Sequence, residues 1–128
     1  MSASISVQKA VLDALVDLNG LAGVYDGPPV DAAAPYAVIG PHIVAEWGTK
    51  TEIGHEHRLL LTLWDDQPGS ARLKRLLSEA ERRLSSLDGG WDGHRIVNAR
   101  LVRIEVGDSN AGWRQGRIEM RIKSHCTV

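Results

Sequence analysis

Between residues 70 and 90 apolar side chains recur at helical spacing. Leu73, Leu76, Leu77, Ala80, Leu84 and Leu87 form one stripe; Arg72, Lys74, Arg75, Glu79, Glu81, Arg82 and Arg83 form the opposite face. The pattern predicts an amphipathic helix that starts after Pro68-Gly69, with Ser70 as its cap, and stops at Asp88-Gly89-Gly90. Near the start of the chain, Val7, Val11, Leu15 and Leu18, with Ala10 and Ala14 beside them, make a second stripe. It predicts a helix of three to four turns, capped by Ser4 or Ser6 and ended by Asn19-Gly20.

Elsewhere the period is two. His57, Leu59, Leu61 and Leu63 point one way along residues 55–65, and Arg58, Leu60, Thr62 and Trp64 the other. Apolar groups on both sides predict a central strand covered on both faces. Ile118, Met120 and Ile122 alternate with Arg117, Glu119, Arg121 and Lys123 in a last strand over residues 113–125. Residues 94–106 alternate too, with Val97, Ala99 and Leu101 on one face and Arg100, Val102 and Ile104 on the other. The turn-rich stretch 107–112 joins these two strands into an antiparallel hairpin. Shorter extended pieces are expected at Val24-Tyr25, at residues 36–40 between Pro35 and Pro41, and at 43–47. Residues 48–54, polar and bounded by glycines, read as a loop or hairpin arm.

Helices and strands do not alternate regularly, so the expected fold class is α+β. It is a mostly antiparallel sheet with two helices packed on one face, plus a C-terminal β-hairpin. At 128 residues and 14.0 kDa, one domain over residues 1–128 is expected. No apolar run approaches the ~20 residues of a membrane helix. The single cysteine, Cys126, has no partner for an internal disulfide and is read as a frayed, inert thiol. No signal-peptide pattern opens the sequence, so folding in a cytoplasm is expected.

Charge changes this picture. The net charge is −1, which gives no global case for nucleic-acid binding. Yet residues 1–66 carry nine acids against three bases, and residues 67–128 seven acids against twelve bases. Eleven of the fifteen basic residues are arginine, which forks onto carboxylates and favours interfaces. If the halves occupy different faces the subunit is bipolar, and bipolar units suit head-to-tail association. The alternative is that folding mixes the charges over one solvated surface.

Catalytic motifs are sparse along the chain. His55-Glu56-His57 places two imidazoles on one strand face, but a zinc site needs further ligands and the spacings of His42, His94 and His125 supply no recognisable set. The glycine runs lack the lysine-serine or lysine-threonine pair of a phosphate loop, and no nucleophile elbow is present. Asp65 and Asp66 are adjacent in a strand, point to opposite faces, and read as strand-end solvation. No catalytic residue, metal or cofactor is expected. The competing reading is a small metal-binding protein or enzyme using His55 and His57, which stoichiometric zinc in the purified protein would favour.

The ordered set Val24-Tyr25-Asp26-Gly27-Pro28-Pro29, Ala34–Gly40, Glu46-Trp47-Gly48-Thr49-Lys50-Thr51, Gly54–Leu59 with Leu63-Trp64, Gly93–Val97 and Trp113–Ile118 resembles the tail terminator (tail completion, head–tail joining) proteins of tailed phages. It is most similar to the versions in the gene transfer agents of alphaproteobacteria. The resemblance implies a homo-oligomeric ring, typically a hexamer, at the head-proximal end of the tail tube. It implies contacts with the tail tube protein and the head–tail connector or stopper, and DNA passing through the lumen without sequence-specific binding. It further implies assembly in the bacterial cytoplasm and final residence in the particle. A related role as another connector, stopper or tail-assembly protein is the nearest rival. Expected interface residues are the arm Thr49, Lys50, Thr51, Glu52 and Ile53, and the arginines Arg114, Arg117 and Arg121. The arginines are expected to meet acids of a neighbour's first half, such as Asp26, Asp31, Glu46 or Glu52.

Overall fold

The computed structural model describes residues 2–48, 52–91 and 93–126. In chain order the elements are α1 (Ala3–Leu15), β1 (Gly23–Asp26), β2 (Tyr36–Gly48), β3 (Ile53–Asp65), α2 (Ala71–Ser85), β4 (Gly89–Trp91), β5 (His94–Asp108), a 3-10 turn (Asn110–Gly112) and β6 (Arg114–Cys126). The strands form one sheet in the order β1-β2-β3-β6-β5-β4. Only the β1–β2 pair is parallel; the others are antiparallel. The expected α+β class, with helices on one face and a β5–β6 hairpin, is what the chain adopts.

The core lies between one sheet face and the helices. Leu59, Leu61 and Leu63 of β3 and Ile118, Met120 and Ile122 of β6 are fully buried against Leu73, Leu76, Leu77, Ala80 and Leu84 of α2 and Val7, Ala10, Val11 and Leu15 of α1. Each fully buried side chain of this size contributes roughly 1.5–3 kcal/mol of transfer free energy, which is why the two periodicities dominate the fold. β3 is central, between β2 and β6. Its second face is not covered by a helix: Arg58 is exposed and Leu60 half-buried there, while Thr62 is shielded within the curl of the sheet.

Several boundaries differ from the sequence expectation. Ser2, not Ser4 or Ser6, caps α1, its Oγ accepting from Ile5 N–H at 3.3 Å. Ser70 holds the cap position of α2 without a side-chain cap bond. β2 runs unbroken through Pro41, because the register slips between Ile39 and His42 and the bulge spares proline a ladder donor. β5 carries two bulges, between Ile96 and Asn98 and between Leu101 and Arg103. Each inserts one residue and reverses the alternation. Ile96, Ala99, Leu101 and Ile104 therefore face the core side, and Val97, expected beside Ala99, is exposed. Cys126 is the half-buried last residue of β6, paired in register with His94, rather than a frayed end.

Candidate functional site: an open sheet face and its edges

Strand parity divides the sheet's side chains into two sets. On the face away from the helices stand Glu56 and Arg58 of β3, Arg117, Glu119, Arg121 and Lys123 of β6, and Arg100, Arg103 and Glu105 of β5. Cross-strand neighbours pair: Arg58 with Glu119 at 3.3 Å, Arg103 with Glu119 at 3.4 Å, and Arg121 with Glu56 at 3.1 Å; within β5, Arg103 also meets Glu105 at 3.4 Å. Such half-exposed pairs are each worth little in stability. Their effect is to fix the orientation of the guanidinium groups. A hollow of about 240 Å³ opens on this face, lined by Pro41, Ile43 and Leu60 together with Arg58, Arg103 and Arg117.

Of the interface residues expected from sequence, Arg117 and Arg121 share this open face. Arg114 does not. Its parity places it on the helix side, where it donates to the Pro68 carbonyl (3.1 Å from Nε) and to Asp108 (2.5 Å) and so ties the β5–β6 turn to the start of α2. Glu52 and Ile53 are exposed at the tip of the β2–β3 hairpin. Thr49, Lys50 and Thr51 lie outside the described residues. Of the expected acidic partners, Glu46 and Asp31 are exposed, and Asp26 accepts from Gln8 Nε2 at 2.9 Å.

At the hairpin-tip end of the sheet Trp47 lies across Gly54 on the open face, its ring 4.7 Å from that of His125, with Lys123 Nζ 5.3 Å above the indole. A Cβ at residue 54 would lie 2.8 Å from Trp47 Cε2, so glycine is needed for the indole to lie flat.

The histidines of the His-Glu-His triplet are on the opposite, helix-side face. His57 is fully buried between His42 (Nε2 to Nδ1, 2.9 Å) and Ser124 Oγ (2.9 Å). Both of its ring nitrogens are therefore occupied by protein partners. Burial, then the nearby His42, His55 and His94, push its pKa down from 6.5 to about 4; burial also lowers that of His42. Among the described residues no group of three His, Cys, Asp or Glu side chains is arranged to hold a metal.

Asp65, read from sequence as a solvated strand end, is fully buried. Arg72 clamps both carboxylate oxygens, and this hydrogen bonding holds the carboxyl below the usual range. The pair fixes the start of α2 against the end of β3. Neither it nor the His57–Ser124 bond was visible in sequence, because each joins groups brought together only by strand register or helix docking.

What the geometry presents is a small structural subunit whose outward features are an ion-paired sheet face and, among the described residues, sheet edges paired over only part of their length. The chain belongs to the family described as tail completion protein gp17, whose model matches residues 7–124. This is a family of structural proteins rather than enzymes, and it bears out the resemblance carried by the sequence. Among solved structures, a chain of the virion of a native gene transfer agent particle is similar over 97% of this chain and 98% of its own length, with a TM-score of 0.83 and 26% identity. No curated protein matches the chain in sequence.

Proposed function

We propose that this tail completion protein forms a ring, a hexamer, at the head-proximal end of the tail tube of a gene transfer agent-like particle. The ring stops tube growth and offers the head–tail connector a docking surface, and DNA passes through its lumen without sequence-specific contacts. The subunit is made in the bacterial cytoplasm and ends in the particle. The observation that carries this reading is the end-to-end likeness to a chain of a gene transfer agent virion. Electron microscopy of particles produced without the protein tests it. Tails of uncontrolled length, or heads and tails that fail to join, are expected; normal particles would overturn the proposal.

Within the ring, Arg117 and Arg121 face acids of the neighbouring copy's first half, Asp26, Asp31, Glu46 or Glu52, and the Thr49–Ile53 arm reaches the neighbour or the tube. Arg114 supports this surface from behind by holding the β5–β6 turn. A rim charge acts mainly through encounter and specificity. Arg117→Glu is therefore expected to lower the yield of infectious or gene-transferring particles several-fold while the isolated protein unfolds at an unchanged denaturant midpoint. Unaltered yield would remove Arg117 from the interface.

A further inference from the structure

The two edge strands of the sheet are each half covered, and at opposite ends. β1 pairs with β2 only from Tyr36 to Ile39, and β4 pairs with β5 only from His94 to Ile96. Among the described residues, nothing pairs with the outer side of β2 from His42 to Gly48, or of β5 from Val97 to Asp108. Such edges are ordinarily blunted by charge, proline or bulges. Here the β2 stretch beyond its one bulge is regular, and it exposes Ile43 (63%) and Val44 (38%). The β5 stretch exposes Val97, Val102 and Val106, and beyond Arg103 it is regular as well.

We infer that the β2 edge of one copy docks antiparallel on the β5 edge of the next, with Val44 opposite Val106, making one sheet continuous around the ring. The inference deepens the proposed ring and rests on it. Strand sense permits the contact: β2 runs opposite to β3, β3 to β6 and β6 to β5, so copies in the same orientation bring β2 and β5 together antiparallel. The contact is heterologous, as a closed ring requires.

The half-covered edges fix the stagger. Within the sheet Val44 stands level with His57, Ile122 and Ala99. A neighbour at that height would drive its β1, beside residues 36–39, into the Ile104–Gly107 stretch of β5. Sliding the neighbour seven positions, from Ala99 to Val106, carries its β1 past the end of β5 and leaves β4 beyond Gly48. The slide is about 20 Å along the strand, against a six-strand width of about 29 Å, which tilts the strands by roughly 35°. Sheets that close on themselves adopt tilts of about 35–45°.

The register also matches side chains. Val44 and Val106 are both exposed and both on the helix-side face; Trp47 falls opposite Arg103 on the open face, and His42 opposite Asp108. The β2 stretch carries Glu46 and no Lys or Arg, and the β5 stretch balances Arg100 and Arg103 against Glu105 and Asp108. The Arg103 guanidinium over the Trp47 indole and the apolar pair supply the attraction.

Directly opposed residues of antiparallel strands have Cα atoms about 4.5–5.5 Å apart, within disulfide range. The test uses particles whose protein carries Cys126→Ser, Val44→Cys and Val106→Cys, oxidised and run on a non-reducing gel. Val44 and Val106 are exposed, so folding is not at stake. A ladder of oligomers ending in a closed ring is expected, and a Val44→Cys, Ala99→Cys version is expected to stay monomeric. A ladder from the Ala99 version alone would overturn the staggered register. Monomers from both, with a ring still seen at the tail, would overturn edge docking and leave the ring reading standing. Monomers with no ring would overturn both.

Discussion

Gly116→Val is expected to destabilise the protein by about 3 kcal/mol, at the upper end of what overpacking a core costs. Gly116 sits on β6 between Leu63 of β3 and Val106 of β5, directly beneath α2. A Cβ there would lie 2.5 Å from Leu77 Cδ1 and 2.9 Å from Cδ2. Leu77 has nowhere to turn: Leu73, Leu76, Ala80 and Leu84 of the same helix are all buried around it. The φ of Gly116 is not positive, so the cost is one of space, not of conformation. A double-mutant cycle separates the two. Leu77→Ala alone leaves a cavity and costs about 2–5 kcal/mol. Gly116→Ala alone costs about 1–3 kcal/mol. Together the new methyl occupies part of the vacated volume, so the pair is expected to cost less than the sum by about 1 kcal/mol or more. Urea unfolding at neutral pH reads all four corners. Strict additivity would show that α2 does not rest on Gly116.

The elements most legible in the sequence are those whose period is never interrupted. α2 keeps its stripe from Leu73 to Leu84, β3 from His57 to Leu63 and β6 from Ile118 to Ile122, and all three bury the residues their pattern selects. β5 defeats the same reading because each bulge adds one residue, and one residue is all that separates the two faces of a strand. Val97 is thereby turned out and Ile104 turned in. Pro41 misleads differently: proline marks the end of a ladder only where its missing donor is needed, and the bulge removes that need. β4, three residues with two glycines, has no pattern to read.

The candidate interface was half legible for a related reason. Strand parity alone groups Arg117 with Arg121 and sets Arg114 behind them. The partners of those arginines depend on register across β3, β5 and β6, which pairs Glu119 with Arg58 across 61 positions of sequence. Folding brings charges of the two chain halves together: Arg58 and Glu56 of the first half pair with Glu119 and Arg121 of the second on one sheet face. At the sheet edges Glu46 stands on β2, whereas β5 sets Arg100 and Arg103 beside Glu105 and Asp108.

Stability is expected to fall by roughly 2 kcal/mol between pH 7 and pH 4.5 through His57 alone, the linkage from its shifted pKa being reduced for solvent screening. The imidazole is held neutral in the fold, with a pKa of about 4 against 6.5 in the unfolded chain. As pH drops below 6.5 the unfolded chain takes up a proton that the fold refuses. The contribution is therefore complete above pH 6.5 and is lost progressively toward pH 4. His42, also lowered by burial, adds to the same window, and His55 and His94 face His57 from β3 and β5. Asp65 does not contribute there, because Arg72 keeps its carboxylate ionised to below the usual carboxylate range. Urea midpoints at pH 7 and 4.5 measure the slope. In His57→Leu combined with Ser124→Ala, which removes the titrating ring and its hydroxyl partner together, the pH dependence is expected to shrink by more than half. An unchanged slope would assign it to other groups. His42 opens the unpaired stretch of β2, so protonation at this pair strains the fold directly behind the edge proposed to meet the next copy.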